Sequence, residues 1–268
     1  MKYVRAIAIV FLMTLAAACL LANFIAPASY AHQFRDLPDA AASRQHPLGT
    51  DDLGRDRLSR VLYGTRVSLL LAPAAALLTC LLAGLVGGIA GFVGGWVERC
   101  VMAAADLLLS LPWLFLLITV RALLPLNVSP TMSVGITFAL LGSLGWAGAA
   151  RVICADVRGL ANSDFILMAR SSGSHGFRLL WWHILPNLKP ILFAQFWLSV
   201  PIFILTEANL GILGLGVTEP MPSWGSILRE LGSFSTLSAQ PVQFVPLILF
   251  IVVVSSFHLV LSKEELPA

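Results

Sequence analysis

Few side chains in this sequence are placed to do covalent chemistry. Cys19, Cys80, Cys100 and Cys154 lie in or beside apolar runs, with no CxxC and no metal-type spacing. They read as small buried side chains. His32, His46, His175, His183 and His258 are scattered, so no metal site is expected. The lysines are Lys2, Lys189 and Lys263, and no GxxxxGK[ST] occurs. A phosphate-cradling loop of that kind is absent, so this chain is expected to bind no cofactor and to hydrolyse no ATP itself. Two acids stand inside apolar runs, Asp106 in ADLLLSLP and Glu207 in LTEANLGILG. An ionisable group at membrane depth normally faces a cavity or a partner. Glu207 and Asn209 are therefore expected to line or gate a translocation path, the alternative being a structural hydrogen-bond network. Asp106, nearer the surface, is expected to pair with Arg99 or Arg151.

The elements that carry these residues are membrane helices. The chain has 268 residues, 58% of them hydrophobic and 12% charged, where a soluble domain has about a quarter charged. Its net charge of +3, with dispersed arginines, implies no nucleic-acid partner. Apolar surface on this scale requires lipid as solvent for much of the chain, and a bilayer core takes about 20 apolar residues in a helix. Runs at 4–26, 67–93, 101–124, 132–153, 191–213 and 244–261 meet or approach that length. The expected fold is all-α, a polytopic membrane protein of about six spanning helices. Residues 1–66 form a first helix and a polar loop, and residues 67–268 form a five-helix core. The first run resembles a signal peptide in its flanks but is long for one, which favours a retained helix. Gly84, Gly87, Gly88, Gly91, Gly94 and Gly95 in and after the second run suit close helix packing.

The stretch 164–187, DFILMARSSGSHGFRLLWWHILPN, carries the most function. Residues 164–170 and 177–183 suit two short helices, turned at Gly173 and Gly176 and stopped before Pro186. They expose Phe165, Phe177, Trp181 and Trp182. Such a hairpin is either an aromatic anchor at the headgroups or a knob that docks into a groove on a partner. The physics alone leaves both open. The 17 Lys and Arg divide almost evenly between the two sides of the membrane, so charge does not orient the chain.

This stretch resembles the EAA motif of ABC-importer permeases. Ala169 stands at the second alanine, Gly173 at the glycine, and Ile184, Leu185 and Pro186 at the closing I-L-P, while Leu167 and Met168 replace Glu-Ala. HPLGTDDLGRDRLSRVLYGTRVSL, GFVGGWVER, ADLLLSLP and TEANLGILGLGVTEPMPSWGSIL resemble further blocks of the C-type subunit of the dipeptide/oligopeptide/nickel family, in the same order.

The resemblance implies a type I importer permease in the bacterial inner membrane, with both termini and the 151–189 loop in the cytoplasm. Leu167, Ala169, Gly173, Phe177, Ile184, Leu185 and Pro186 would then couple it to an ATPase. The implied partners are a second homologous permease, two ABC ATPase subunits holding ATP and Mg, and an extracytoplasmic solute-binding protein. Peptide is the leading substrate class and nickel or another small solute the alternative, with an intramembrane enzyme as the rival class. The segment 214–231 is expected to make a re-entrant turn and a short surface helix. It is either a packed cap over the outer mouth or, with 51–66, whose mixed charges suit docking, part of the platform that receives the binding protein.

Overall fold

A computed structural model describes residues 2–125, 127–174, 176–232 and 241–261. The described residues form helices α1 (Lys2–Leu20), α2 (Arg57–Val93), α3 (Gly95–Ser110), α4 (Trp113–Leu123), α5 (Pro130–Leu144), α6 (Trp146–Ala161) and α7 (Asp164–Ser171). They continue with α8 (Gly176–Leu179), α9 (Lys189–Ile212), α10 (Trp224–Arg229) and α11 (Val245–Leu261). The bridges Gln33 to Arg55 and Thr50 to Asp56 are isolated, and no strand occurs among the described residues. Five helices are long and apolar enough to cross a membrane, or six if the bent pair α3–α4 is one span. The fold is the expected all-α one.

The third apolar run departs from a simple span. Pro112 disfavours helical backbone at the preceding residue, and Leu111 is extended at φ −83°, ψ 136°. The run 101–124 therefore breaks into α3 and α4, bent by 91°. The fifth run departs in the opposite sense. The sequence predicts a helix stopped before Pro186, yet helical backbone continues from Leu180 to Ile212. A wider π turn over Leu180–Ile184 and a 3-10 turn over Leu185–Leu188 take the proline without a break. A change of helical pitch absorbs the missing N–H and the ring.

The chain divides into two compact units. One comprises Pro73–Val120 and Ala139–Val200, the other Met1–Ala72, Arg121–Phe138 and Pro201–Ala268. The cuts in α2 and α9 fall at their in-helix prolines, Pro73 and Pro201.

In the first unit the usual amphipathic logic is inverted. Ala76, Cys80, Ala83 and Ala90 on α2 are buried, at helical spacing, whereas Leu77, Leu81 and Leu85 are exposed. Small residues face protein and large ones face outward, as lipid solvent favours. A Cβ on Gly87 would lie 2.4 Å from the Ala150 carbonyl oxygen, and one on Gly91 2.6 Å from that of Cys154. These glycines let α2 touch the backbone of α6. Ion pairs Asp106–Arg151 and Glu98–Arg158 join α3 to α6. Arg151 was one of two expected partners for Asp106. Both members are exposed, and exposed pairs contribute about 0–1 kcal/mol. Asp106→Asn is expected to leave membrane abundance within about twofold of the parent, measured by quantitative immunoblot.

In the second unit α1 lies along α11, and Cys19, Ala22 and Leu62 form a small cluster. The helix α10 corrects the expected surface helix. Trp224, Gly225, Ile227 and Leu228 are all buried. Three glycines cause this: Gly211, Gly216 and Gly225 meet at backbone contact, so α10 seats directly on the end of α9. Ser223 caps α10 by accepting from the Ser226 backbone N–H, while Ser226 Oγ accepts from the Ser223 N–H.

Candidate functional site

The loop after α6 is built from the inside outward. Asp164 in its first turn and Arg170 in its last complement the dipole of α7. The helix ends in a Schellman motif: Ser174 N–H donates to Ala169 O, and Gly173 N–H donates to Arg170 O, both at 3.0 Å. Gly173 takes the left-handed position at φ +87°, with open space around it. Backbone conformation, not crowding, demands glycine there.

One face of the hairpin fills a core. Ile166, Leu179, Ile184 and Leu188 are fully buried against Ala83, Ala150, Ile153 and Val157, with Ala169 and Leu185 packed beside them. The other face is bare apolar surface. Phe165 is 44% exposed, Leu167 49%, Met168 69%, Trp181 57% and Trp182 71%. The expected coupling residues thus fall in two groups. Ile184, Leu185 and Ala169 hold the loop down, while Leu167 faces out. Pro186 is exposed and Gly173 makes the turn. Phe177 lies in α8, and its side chain is outside the described residues. Met168 is the outward residue that motif matching passes over, because there it counts only as a departure.

Glu207 and Asn209 do not share a surface. Two residues apart on a helix, they point to different sides. Glu207 is fully buried and accepts from Ser68 Oγ at 3.3 Å, whereas Asn209 is exposed. The other Glu207 oxygen, Oε1, is buried without a hydrogen-bond partner among the described residues.

The polar segment 51–60 also departs from its expected docking surface. Its charges turn inward: Asp51, Arg55, Asp56, Arg57 and Arg60 are all buried. Asp56 caps α2 by accepting from Ser59 N–H and Ser59 Oγ, each at 2.7 Å, and pairs with His46 at 2.8 Å. Asp51 accepts from the Arg55 backbone N–H at 2.7 Å and its Nε at 2.6 Å. Arg55 and Arg60 then reach Glu219, at 2.6 Å and 3.0 Å, and Arg60 also reaches Glu230 at 3.1 Å. Buried charges need such partners, because removing one leaves an uncompensated ion.

The two glutamates are tuned in opposite directions. Burial pushes Glu219 up, but the adjacent Arg60 and Arg55 guanidiniums outweigh it and hold the carboxyl below its ordinary value. Glu219 therefore contributes stability above its unfolded value that is lost as pH falls through the lower folded one. Burial raises Glu230 from 4.5 to about 7, against the pull of Arg60. Between those two pH values the unfolded chain ionises first, so Glu230 costs stability as pH rises. The parent's unfolding temperature in detergent is expected to fall between pH 5 and pH 7, and Glu230→Gln is expected to flatten that fall without raising stability, because it also takes a carboxylate from buried Arg60 and Arg57.

Residues 83–263 match the family described as binding-protein-dependent transport system inner membrane component. The chain belongs to that family. It is 33% identical over 192 residues to the oligopeptide transport system permease protein OppC of Bacillus subtilis (strain 168), covering 72% of this chain and 61% of that protein. To the dipeptide transport system permease protein DppC of the same organism it is 32% identical over 207 residues, 77% of this chain and 63% of that one. To DppC of Escherichia coli (strain K12) it is 34% identical over 259 residues, covering 94% and 84%. The chain thus spans a little over three fifths of the two Bacillus relatives. Both the 163–188 loop and α10 fall inside the family match.

Proposed function

We propose that this chain is one permease half of an ATP-driven importer of dipeptides or oligopeptides. The single observation that carries this is the 163–188 hairpin, anchored by Ile166 and Ile184 and presenting Leu167, Met168, Trp181 and Trp182 outward. A hairpin clamped to the bundle on one face and bare on the other suits the transmission of force. The OppC and DppC names support peptide as the cargo.

In this proposal the hairpin and both termini lie in the cytoplasm, and the 27–66 segment and α10 lie outside. Two ATPase subunits, which hold ATP and Mg, bind below, and the hairpin docks into a groove on one of them. A second homologous permease completes the pathway, and a solute-binding protein delivers cargo to the outer cap. ATP-driven closure of the ATPases moves the hairpin, and rigid elements rock to give alternating access. Leu167 and Met168, where the EAA pattern has Glu-Ala, make this contact with apolar area in place of a charge. Each fully buried side chain of that size contributes about 1.5–3 kcal/mol.

The assembled transporter in proteoliposomes tests the proposal. Gly173→Val strains the left-handed turn by about 1–2 kcal/mol and misaligns the knob. Peptide uptake is expected to fall at least tenfold while ATP hydrolysis continues and membrane insertion is normal. Parental uptake in this variant, or failure to copurify an ATPase with the parent chain, would count against it.

A further inference from the structure

A buried arginine that the foregoing leaves unused stands at the wall of a cavity of about 580 Å³ in the unit containing α10. Arg121 is 1% exposed, at the C-terminal end of α4. Its hydrogen bonds go to neutral oxygens, Pro125 O and Ser133 Oγ, both at 3.3 Å, and its Nε has no partner. Among the described residues no carboxylate pairs with it, although Arg55, Arg57 and Arg60 all have carboxylate partners. The last turn of α4 offers it only the partial negative charge of a helix end. A guanidinium carries five donors in a planar fork matched to a carboxylate, and two are engaged here. Ser133 Oγ also accepts from Thr218 N–H at 3.2 Å and Thr218 Oγ1 at 2.9 Å, which ties Arg121 to Thr218, another lining residue.

The same cavity is lined by Arg229, Glu219, Glu230 and Asp52. Cations and carboxylates thus share one chamber, whose volume falls within the range of about 300–1,000 Å³ usual for small-molecule sites. We infer that this cavity is a way-station for a zwitterionic solute, with Arg121 and Arg229 taking its α-carboxylate and the exposed Asp52 its α-ammonium. The inference rests on the importer proposed above and adds a solute-contacting site to this chain.

The test uses the assembled transporter in nanodiscs without binding protein. Alanylalanine and its C-terminal amide serve as probes, and affinities are read by saturation-transfer NMR. The parent is expected to bind the free acid at least tenfold more tightly than the amide. Arg121→Gln should abolish that preference and leave amide binding unchanged, and Arg121→Lys should keep part of it. Should Arg121→Gln fail to fold, the exposed Arg229→Gln carries the test, with an expected threefold loss of preference. Equal binding of acid and amide by the parent, or an undiminished preference in the variants, overturns the inference. So does a variant that binds alanylalanine normally but docks the binding protein less tightly, which would assign Arg121 to an acidic side chain of that protein. The importer proposal fails separately, if the parent shows no ATP-dependent peptide uptake.

Discussion

Gly225→Val is expected to abolish accumulation of this protein in the membrane. A Cβ at Gly225 would stand 2.5 Å from Gly211 Cα and 3.0 Å from the carbonyl oxygens of Glu207 and Ala208. The contact is reciprocal, since a Cβ on Gly211 would meet Gly225 Cα at 2.4 Å, and one on Gly216 would meet Gly211 Cα at 2.6 Å. Overpacking costs about 1–3 kcal/mol where side chains can yield. Here the obstructing atoms are backbone, so the cost lies at or above the top of that range. Valine adds two methyls to the same gap. Displacing α10 would also unseat Trp224, which is fully buried against Phe250 with ring centroids 5.3 Å apart. Gly88→Val in α2 is the control, because a Cβ there meets nothing within 4 Å. Membrane fractions should hold near-parental amounts of the Gly88 variant and less than a tenth for Gly225→Val. Equal amounts would refute the packing argument.

Met168→Asp is expected to behave in the opposite way, with full abundance and at least a tenfold loss of uptake. Met168 is 69% exposed and outside the buried cluster, so a carboxylate there meets no desolvation cost within this chain. Once an ATPase groove closes on it, the same carboxylate is buried unpaired, at a cost of several kcal/mol. About 1.4 kcal/mol is already a tenfold effect. Trp182→Asp should match it. Ile166→Asp, at a fully buried position two residues before Met168, should lose abundance instead. The split between abundance and uptake separates the anchoring face of the hairpin from its presenting face.

Much of this architecture was legible in the sequence because lipid makes local pattern informative. Apolar runs located the helices, and the glycines of α2 marked a close crossing. Gly173 marks a turn in the sequence, and the structure closes that turn with a Schellman motif. Where structure and sequence reading differ, some determinants are local backbone geometry and others are tertiary. Pro112 breaks its span and Pro186 does not, since the backbone around Pro186 has a wider turn in which to place the ring. The charges of 51–60 looked suited to docking because their partners, Glu219 and Glu230, lie more than 150 residues away. No periodicity connects Arg60 to Glu219. Glu207 and Asn209 are near neighbours in sequence, yet the helix points them to different sides. Arg121 carries no signal in the sequence, because what sets it apart is the lack of a carboxylate partner among the described residues, and only the fold displays that.

The most direct measurement is disulfide crosslinking in the assembled complex. Cys19, Cys80, Cys100 and Cys154 are replaced, and a single cysteine is placed at Met168→Cys or Trp182→Cys, with Asp52→Cys in the cap as the comparison. A motor-driven permease should crosslink from positions 168 and 182 to an ATP-hydrolysing subunit carrying cysteines along its groove, in a nucleotide-dependent manner, and position 52 should not. Positions 168 and 182 labelled only from the extracytoplasmic face, or captured by no nucleotide-binding protein, would contradict the account.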